Sequence, residues 1–162
     1  MFSPDTILPW LEENVKGMRY SRMKTLAAIV PAAMGLCGVG VLALGRGMHT
    51  QTAAKHNIKR VGRFLNNAAV ECEAIAQGLF QAFAPREGPL LVLADWTDVP
   101  NGKLLVFALP CNGRSVPFYT RVVPKKVGEG GLVQAETEAL EALQRICGDR
   151  PRLRQWVEMV RA

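Results

Sequence analysis

The spacing of apolar positions changes character partway along the chain. As far as Phe83 they recur every three or four residues, the repeat of a helix. From Leu90 to Val123 they run in short blocks separated by turn residues, the pattern of strands and hairpins. Ser3-Pro4-Asp5 places a capping residue before a proline in the first turn, and Ile7, Leu8, Leu11, Val15 and Met18 follow at helical spacing, with the helix ending near Gly17. Further helices are predicted over Ser21 to Met34 and Val39 to Leu44. A fourth, Thr52 to Asn66, is the clearest. Ala54, Ile58, Val61 and Leu65 fall on one face at i, i+4, i+7 and i+11, and Lys55, Lys59, Arg60 and Arg63 occupy the other side. A fifth, Ala69 to Phe83, turns Ile75, Leu79 and Phe83 inward and stops before Pro85.

Arg86-Glu87-Gly88-Pro89 is a joint into strand-like sequence. Leu90 to Ala94 is apolar at every position, which predicts a strand covered on both faces and ending in Asp95. Asp98-Val99-Pro100-Asn101-Gly102 is a turn, Lys103 to Leu109 a second strand, Pro110-Cys111-Asn112-Gly113 another turn, and Arg114 to Val123 a third strand. Two Asn-Gly connections in succession specify an antiparallel meander in the spatial order one, two, three, and Pro117 puts the third strand at the edge. After a loop over Lys125 to Gly131, Leu132 to Cys147 reads as a helix with Ala139, Leu140, Leu143 and Ile146 on one face. Glu136 and Glu138 lie early, Arg145 late, and Gly148 is the stop, the order the helix dipole favours. Beyond Pro151, Leu153, Trp156, Val157 and Val160 are again spaced as in a helix, and no strand is predicted. The expected class is α+β: a helical basic domain over 1–85, then a three-stranded meander plus helix over 86–162.

Charge sharpens this division. The net charge of +6 favours a polyanionic partner, and between Glu13 and Glu71 there is no acidic residue at all, so the basic surface belongs to the N-terminal half. A segregated charged face is often simply solvated. Here the neighbouring helices carry no acid to neutralise it, which favours contact with phosphates.

Cys37, Cys72, Cys111 and Cys147 lie more than thirty residues apart with no close pair, which argues against structural zinc and for reduced thiols packed in the interior of a cytoplasmic protein. The nineteen residues from Leu26 to Leu44 carry no charge and are long enough to cross a bilayer, so a small membrane-anchored protein with a span at 26–44 is the alternative reading. Pro31, Gly35, Gly38, Gly40 and five alanines in that stretch suit instead two buried helices broken near Gly35 to Gly40.

Lys59-Arg60-Val61-Gly62-Arg63-Phe64-Leu65-Asn66-Asn67 followed by Leu91-Val92-Leu93-Ala94-Asp95-Trp96-Thr97 resembles the basic segment and first catalytic strand of DDE-type insertion-sequence transposases, whose core is RNase H-like. Val116-Pro117 and Arg121-Val122-Val123-Pro124-Lys125 are similar to that family's third strand, and the resemblance spans roughly residues 20 to 147. It implies DNA as partner, with Lys55, Lys59, Arg60 and Arg63 on phosphates. It also implies phosphoryl transfer by two Mg²⁺ ions held by three carboxylates, with Asp95 the first catalytic and metal-binding residue. The bland role for Asp95 is to cap the turn that follows it. The family's second aspartate, on a fourth strand, and its later glutamate have no counterpart: Asp149 lies in a Gly-Asp-Arg-Pro turn and Glu158 in a stretch of helical spacing. The expectation is an incomplete RNase H-like core, inactive in transposition alone, either the product of a decayed element or one half of a protein completed by another reading frame, with the remainder of the transposase or a homo-oligomer as protein partner. Its first strand is expected to have one unpaired edge.

Overall fold

The computed structural model describes residues 3–35, 39–67, 70, 72–125 and 131–148, and the backbone of 153–158. Two compact units divide the chain, Met1–Ala74 and Ile75–Ala162.

The first unit is helical. It contains α1 (Pro4–Asn14), α2 (Tyr20–Gly35), α3 (Val41–Gly47) and α4 (Ala54–Leu65). Pro4 stands at the start of α1, where a missing N–H costs no helical bond, and Gly17 follows the helix at φ +83°, a conformation that favours glycine. Ala28, Ile29 and Ala32 of α2, Leu44 and Met48 at α3, and Val61 of α4 make one apolar core. The small side chains of α2 let helices approach closely. At Gly45 the approach is extreme, since a Cβ there would lie 2.5 Å from the Cα of Ile58 in α4. The uncharged stretch over 26–44 is thus shared between α2 and α3, and no helix among the described residues is long and apolar enough to cross a membrane.

The second unit is built on a sheet. After α5 (Cys72–Phe83) come β1 (Leu90–Val99), β2 (Gly102–Cys111), β3 (Arg114–Pro124), α6 (Gly131–Cys147) and β4 (Leu153–Glu158). The class is α+β, with three antiparallel strands as a meander. The second hairpin pairs Cys111 with Arg114 across Asn112-Gly113, at φ +50° and +75°, the paired positive values that an Asn-Gly turn of type I′ requires. The first hairpin pairs Val99 with Gly102, so its two-residue loop is Pro100-Asn101 and Gly102 belongs to the strand. There a Cβ would fall 2.0 Å from the carbonyl oxygen of Val123, a close approach only glycine permits. Pro117 sits on β3, at the sheet edge, beside a register shift between Phe107 and Ala108.

Alternation then decides which side is buried. Leu90 and Val92 of β1, Leu105, Phe107 and Leu109 of β2, and Phe118 of β3 join Ala76, Phe80 and Ala84 from the α5 segment and Ala139, Leu143 and Ile146 from α6 in one core. Burying a side chain such as Leu143 contributes about 1.5–3 kcal/mol. Polar links fix α6 on the sheet: Trp96 donates from Nε1 to Glu136 Oε1 at 2.9 Å, and Arg121 pairs with Glu138.

Several sequence-based expectations are corrected. β1 is not a five-residue strand ending in an acid: it continues for ten residues to Val99, because the hairpin pairs it that far. Nor is it covered on both faces, since Leu90 and Val92 are buried while Leu91 and Leu93 are only half-buried. The segment Leu153–Glu158 is a strand rather than a helix. It pairs parallel with β1 over Leu90 to Ala94, giving the order β3-β2-β1-β4 and removing the expected free edge there. On α5 Ala76 and Phe80 are buried and Leu79 packs against the same core as expected, whereas Phe83 is 44% exposed. Of the described cysteines only Cys147 is buried, and Cys72 is exposed. Cys37 and Asp149 lie outside the described residues.

Candidate nucleic-acid interface

The register of α4 is set by its entry turn. Asn57 is only 2% exposed, and its Nδ2 donates to Thr50 Oγ1 at 2.9 Å and to the Thr52 carbonyl at 3.3 Å. Amide and hydroxyl satisfy each other, so a polar side chain is buried without an unpaired group. The inward face of α4 is therefore Asn57, Ile58, Val61 and Phe64: of the expected run Ile58 and Val61 pack inward, whereas Ala54 is exposed and Leu65 is 55% exposed. Lys55, His56, Lys59 and Arg63 are exposed on the outward side.

Arg60 stands between those faces, half-buried. Its Nε donates to Thr25 Oγ1 of α2 at 3.0 Å, and that hydroxyl in turn donates to the Ser21 carbonyl at 2.9 Å. Around this contact lies an open cleft of about 510 Å³, lined among others by Ser21, Arg22 and Thr25 from α2 and by His56, Arg60 and Arg63 from α4. Among the described residues no carboxylate lines it. Guanidinium groups present planar, permanently charged donor forks, so a cleft lined by Arg60 and Arg63, with Arg22 at its wall, suits a phosphate oxyanion. Arg22, Thr25 and His56 were not singled out from the sequence. The available signal was a pair of i, i+3 spacings, Arg22 to Thr25 on α2 and Arg60 to Arg63 on α4.

Asp95 belongs to the other unit. It lies in the middle of β1, opposite Val106 of β2, and is exposed. Its neighbours Ala94 and Trp96 pack on the core, so alternation places the carboxylate on the opposite face of the sheet. Thr97 Oγ1 donates to Asp95 Oδ2 at 3.3 Å. The strand continues past it, so Asp95 does not cap a turn.

A second carboxylate-bearing residue comes near in backbone register, for Glu158 pairs with Ala94, one position short of Asp95. Among the described residues no group of three His, Cys, Asp or Glu residues is placed to hold a metal ion. The exposed Asp98–Lys103 ion pair at 3.4 Å closes the hairpin end and contributes little.

Neither a protein-family model, nor a curated protein, nor a solved structure matches the chain.

Proposed function

We propose that this chain is a DNA-binding protein of the DDE insertion-sequence transposase type, in which the helical unit grips DNA phosphates and the sheet belongs to an RNase H-like core. The observation that carries the reading is the sheet order β3-β2-β1-β4: an antiparallel meander, a helix, and then a strand parallel to β1, with an acid on β1. That is the order in which the resembled core assembles its first four strands. The basic α4, in a unit without an acid between Glu13 and Glu71, supports DNA as the ligand.

Mg²⁺ is the ion the resemblance implies. The described side chains do not fit it: an exposed Asp95 whose one recorded partner is a hydroxyl offers a single carboxylate, whereas such a centre takes several oxygens. The function proposed is DNA binding. The rest of a transposase, or a second copy of this chain, is the partner that would supply further carboxylates.

The test is anisotropy of a labelled duplex against the purified chain over a range of KCl. About five phosphate contacts, with Lys55, Lys59, Arg60 and Arg63 supplying four of them, give a slope of log affinity against log salt of about −4 to −5. Binding indifferent to salt, or absent at low salt, would overturn the proposal.

A further inference from the structure

The cleft between α2 and α4 differs in kind from the exposed row of cations beside it. Lys55 and Lys59 are exposed, free to follow any anion that passes. Arg60 is fixed at one edge. Its Nε is committed to Thr25, and Thr25 is itself held, buried to 7% exposure, by donating to the Ser21 carbonyl. Thr25 has thus used its proton on one neighbour and a lone pair on the other. It positions the guanidinium rather than meeting a ligand. Pinning Nε leaves the two terminal nitrogens as the working edge, the pair that engages two oxygens of one phosphate.

Arg22 and Arg63 line the same opening, with His56 beside them and Asn57 packed beneath through its bonds to Thr50 and Thr52. A flexible surface charge loses side-chain entropy when it meets a ligand, whereas a guanidinium already held in place loses less.

We propose that this cleft is a discrete seat for one backbone phosphate of bound DNA, with Arg60 as the bidentate ligand and Thr25 as its positioning residue. This rests on the DNA-binding reading above and adds a specific anchor to it. A fixed anchor sets where α4 lies along the strand, because a phosphate seated on Arg60 leaves the exposed Lys55 and Lys59 only the neighbouring phosphates. Since the recognised group is a phosphate, a small phosphorylated molecule is the competing source of the same chemistry.

The experiment uses the full chain and a labelled duplex at fixed salt. Arg60→Lys keeps the charge and removes the fork, and is expected to weaken binding about tenfold. Thr25→Val keeps the shape and removes the hydroxyl, and is expected to weaken it several-fold, with Thr25→Ser restoring the parent affinity. Lys59→Gln, on the outward side, is expected to lower the salt slope by about 0.9 without the larger loss.

If Arg60→Lys and Thr25→Val both bind within about twofold of the parent while Lys59→Gln lowers the slope, the seat is wrong and the DNA reading stands. If the parent fails to bind duplex at low salt, both fall. Thermal unfolding of Thr25→Val checks its packing, and should that variant unfold, the half-exposed Arg60→Lys decides. The Arg60 Nε–H resonance, followed by NMR, separates the sources: it is expected to shift on adding duplex, with inorganic pyrophosphate competing weakly. Saturation by pyrophosphate that duplex cannot displace would overturn DNA as the occupant.

Discussion

Adding one methyl group to either of two glycines should move stability in opposite directions. At Gly45 of α3 the new Cβ would lie 2.5 Å from Ile58 Cα, 2.6 Å from Ile58 Cγ1 and 2.7 Å from Ile58 N. Carbon atoms rest about 3.5–4.0 Å apart, so the overlap is about 1 Å or more. Rotating Ile58 relieves only the contact with Cγ1. The other two are backbone, so the whole of α4 must shift, breaking its packing on Ala28, Ala32 and Leu44 around the fully buried Val61.

Overpacking of a core typically costs about 1–3 kcal/mol, and a rigid backbone obstacle puts Gly45→Ala at about 3 kcal/mol. For a unit of this size that is a fall in Tm of about 10 °C or more. At Gly62, within α4, the new Cβ meets only Val41 Cγ1 at 3.8 Å, an ordinary contact, so Gly62→Ala should show the helix-propensity gain of about 0.5–1 kcal/mol. Far-UV circular dichroism during heating reads both. Equal Tm values for Gly45→Ala and the parent, or shifts of the two variants in the same direction, would refute the close crossing of α3 and α4.

Other variants probe separate links. Asn57→Leu removes the hydrogen bonds of its amide to Thr50 Oγ1 and the Thr52 carbonyl at the start of α4, and at about 0.5–1.5 kcal/mol for each should cost about 1–3 kcal/mol in urea unfolding; an unchanged midpoint would mean that these bonds do not set the entry of α4. Leu143→Ala opens a cavity under the sheet and should cost about 2–5 kcal/mol in the second unit while DNA affinity per folded molecule is unchanged; a proportionate loss of affinity would tie the two units together in binding. Asp95→Asn, at an exposed site, should change stability by no more than about 0.5 kcal/mol, and the parent chain with Mg²⁺ should leave duplex DNA intact. Metal-dependent cleavage by the parent, lost in Asp95→Asn, would contradict the incomplete carboxylate set.

Much of this architecture is written in local pattern. The helices, the three-stranded meander and the Asn112-Gly113 turn follow from period, capping and turn chemistry, each a property of neighbouring residues. What was not legible depends on partners distant in sequence or on polar satisfaction. The inward face of α4 was read from apolar spacing alone, which favoured Leu65. The fold instead buries Asn57, because Thr50 and Thr52 are placed to satisfy it. Leu153, Trp156 and Val157 fit three positions of a helix as well as a six-residue strand, and only a waiting edge of β1 separates the two. The cleft was invisible for the same reason, since Thr25 and Arg60 are thirty-five positions apart and meet through helix packing.

The same non-local pairing changes what Asp95 is. Read as the last residue of a short strand, it would sit where the backbone begins to loosen into a turn. In the fold, β2 holds Asp95 itself through its pairing with Val106, and β4 holds the preceding Ala94 from the other side. Asp95 is thus held by one neighbouring strand and follows a residue held by two, which orders the backbone that carries its carboxylate. The parallel pairing reaches Ala94 and, among the described residues, goes no further, so β1 is braced on both edges up to the residue before the acid and on one edge beyond it. Glu158, pairing with Ala94 at the end of β4, is a second acidic residue that the register brings beside the neighbour of Asp95. Strand pairing, rather than the Asp-Trp-Thr triplet, makes Asp95 a site worth testing.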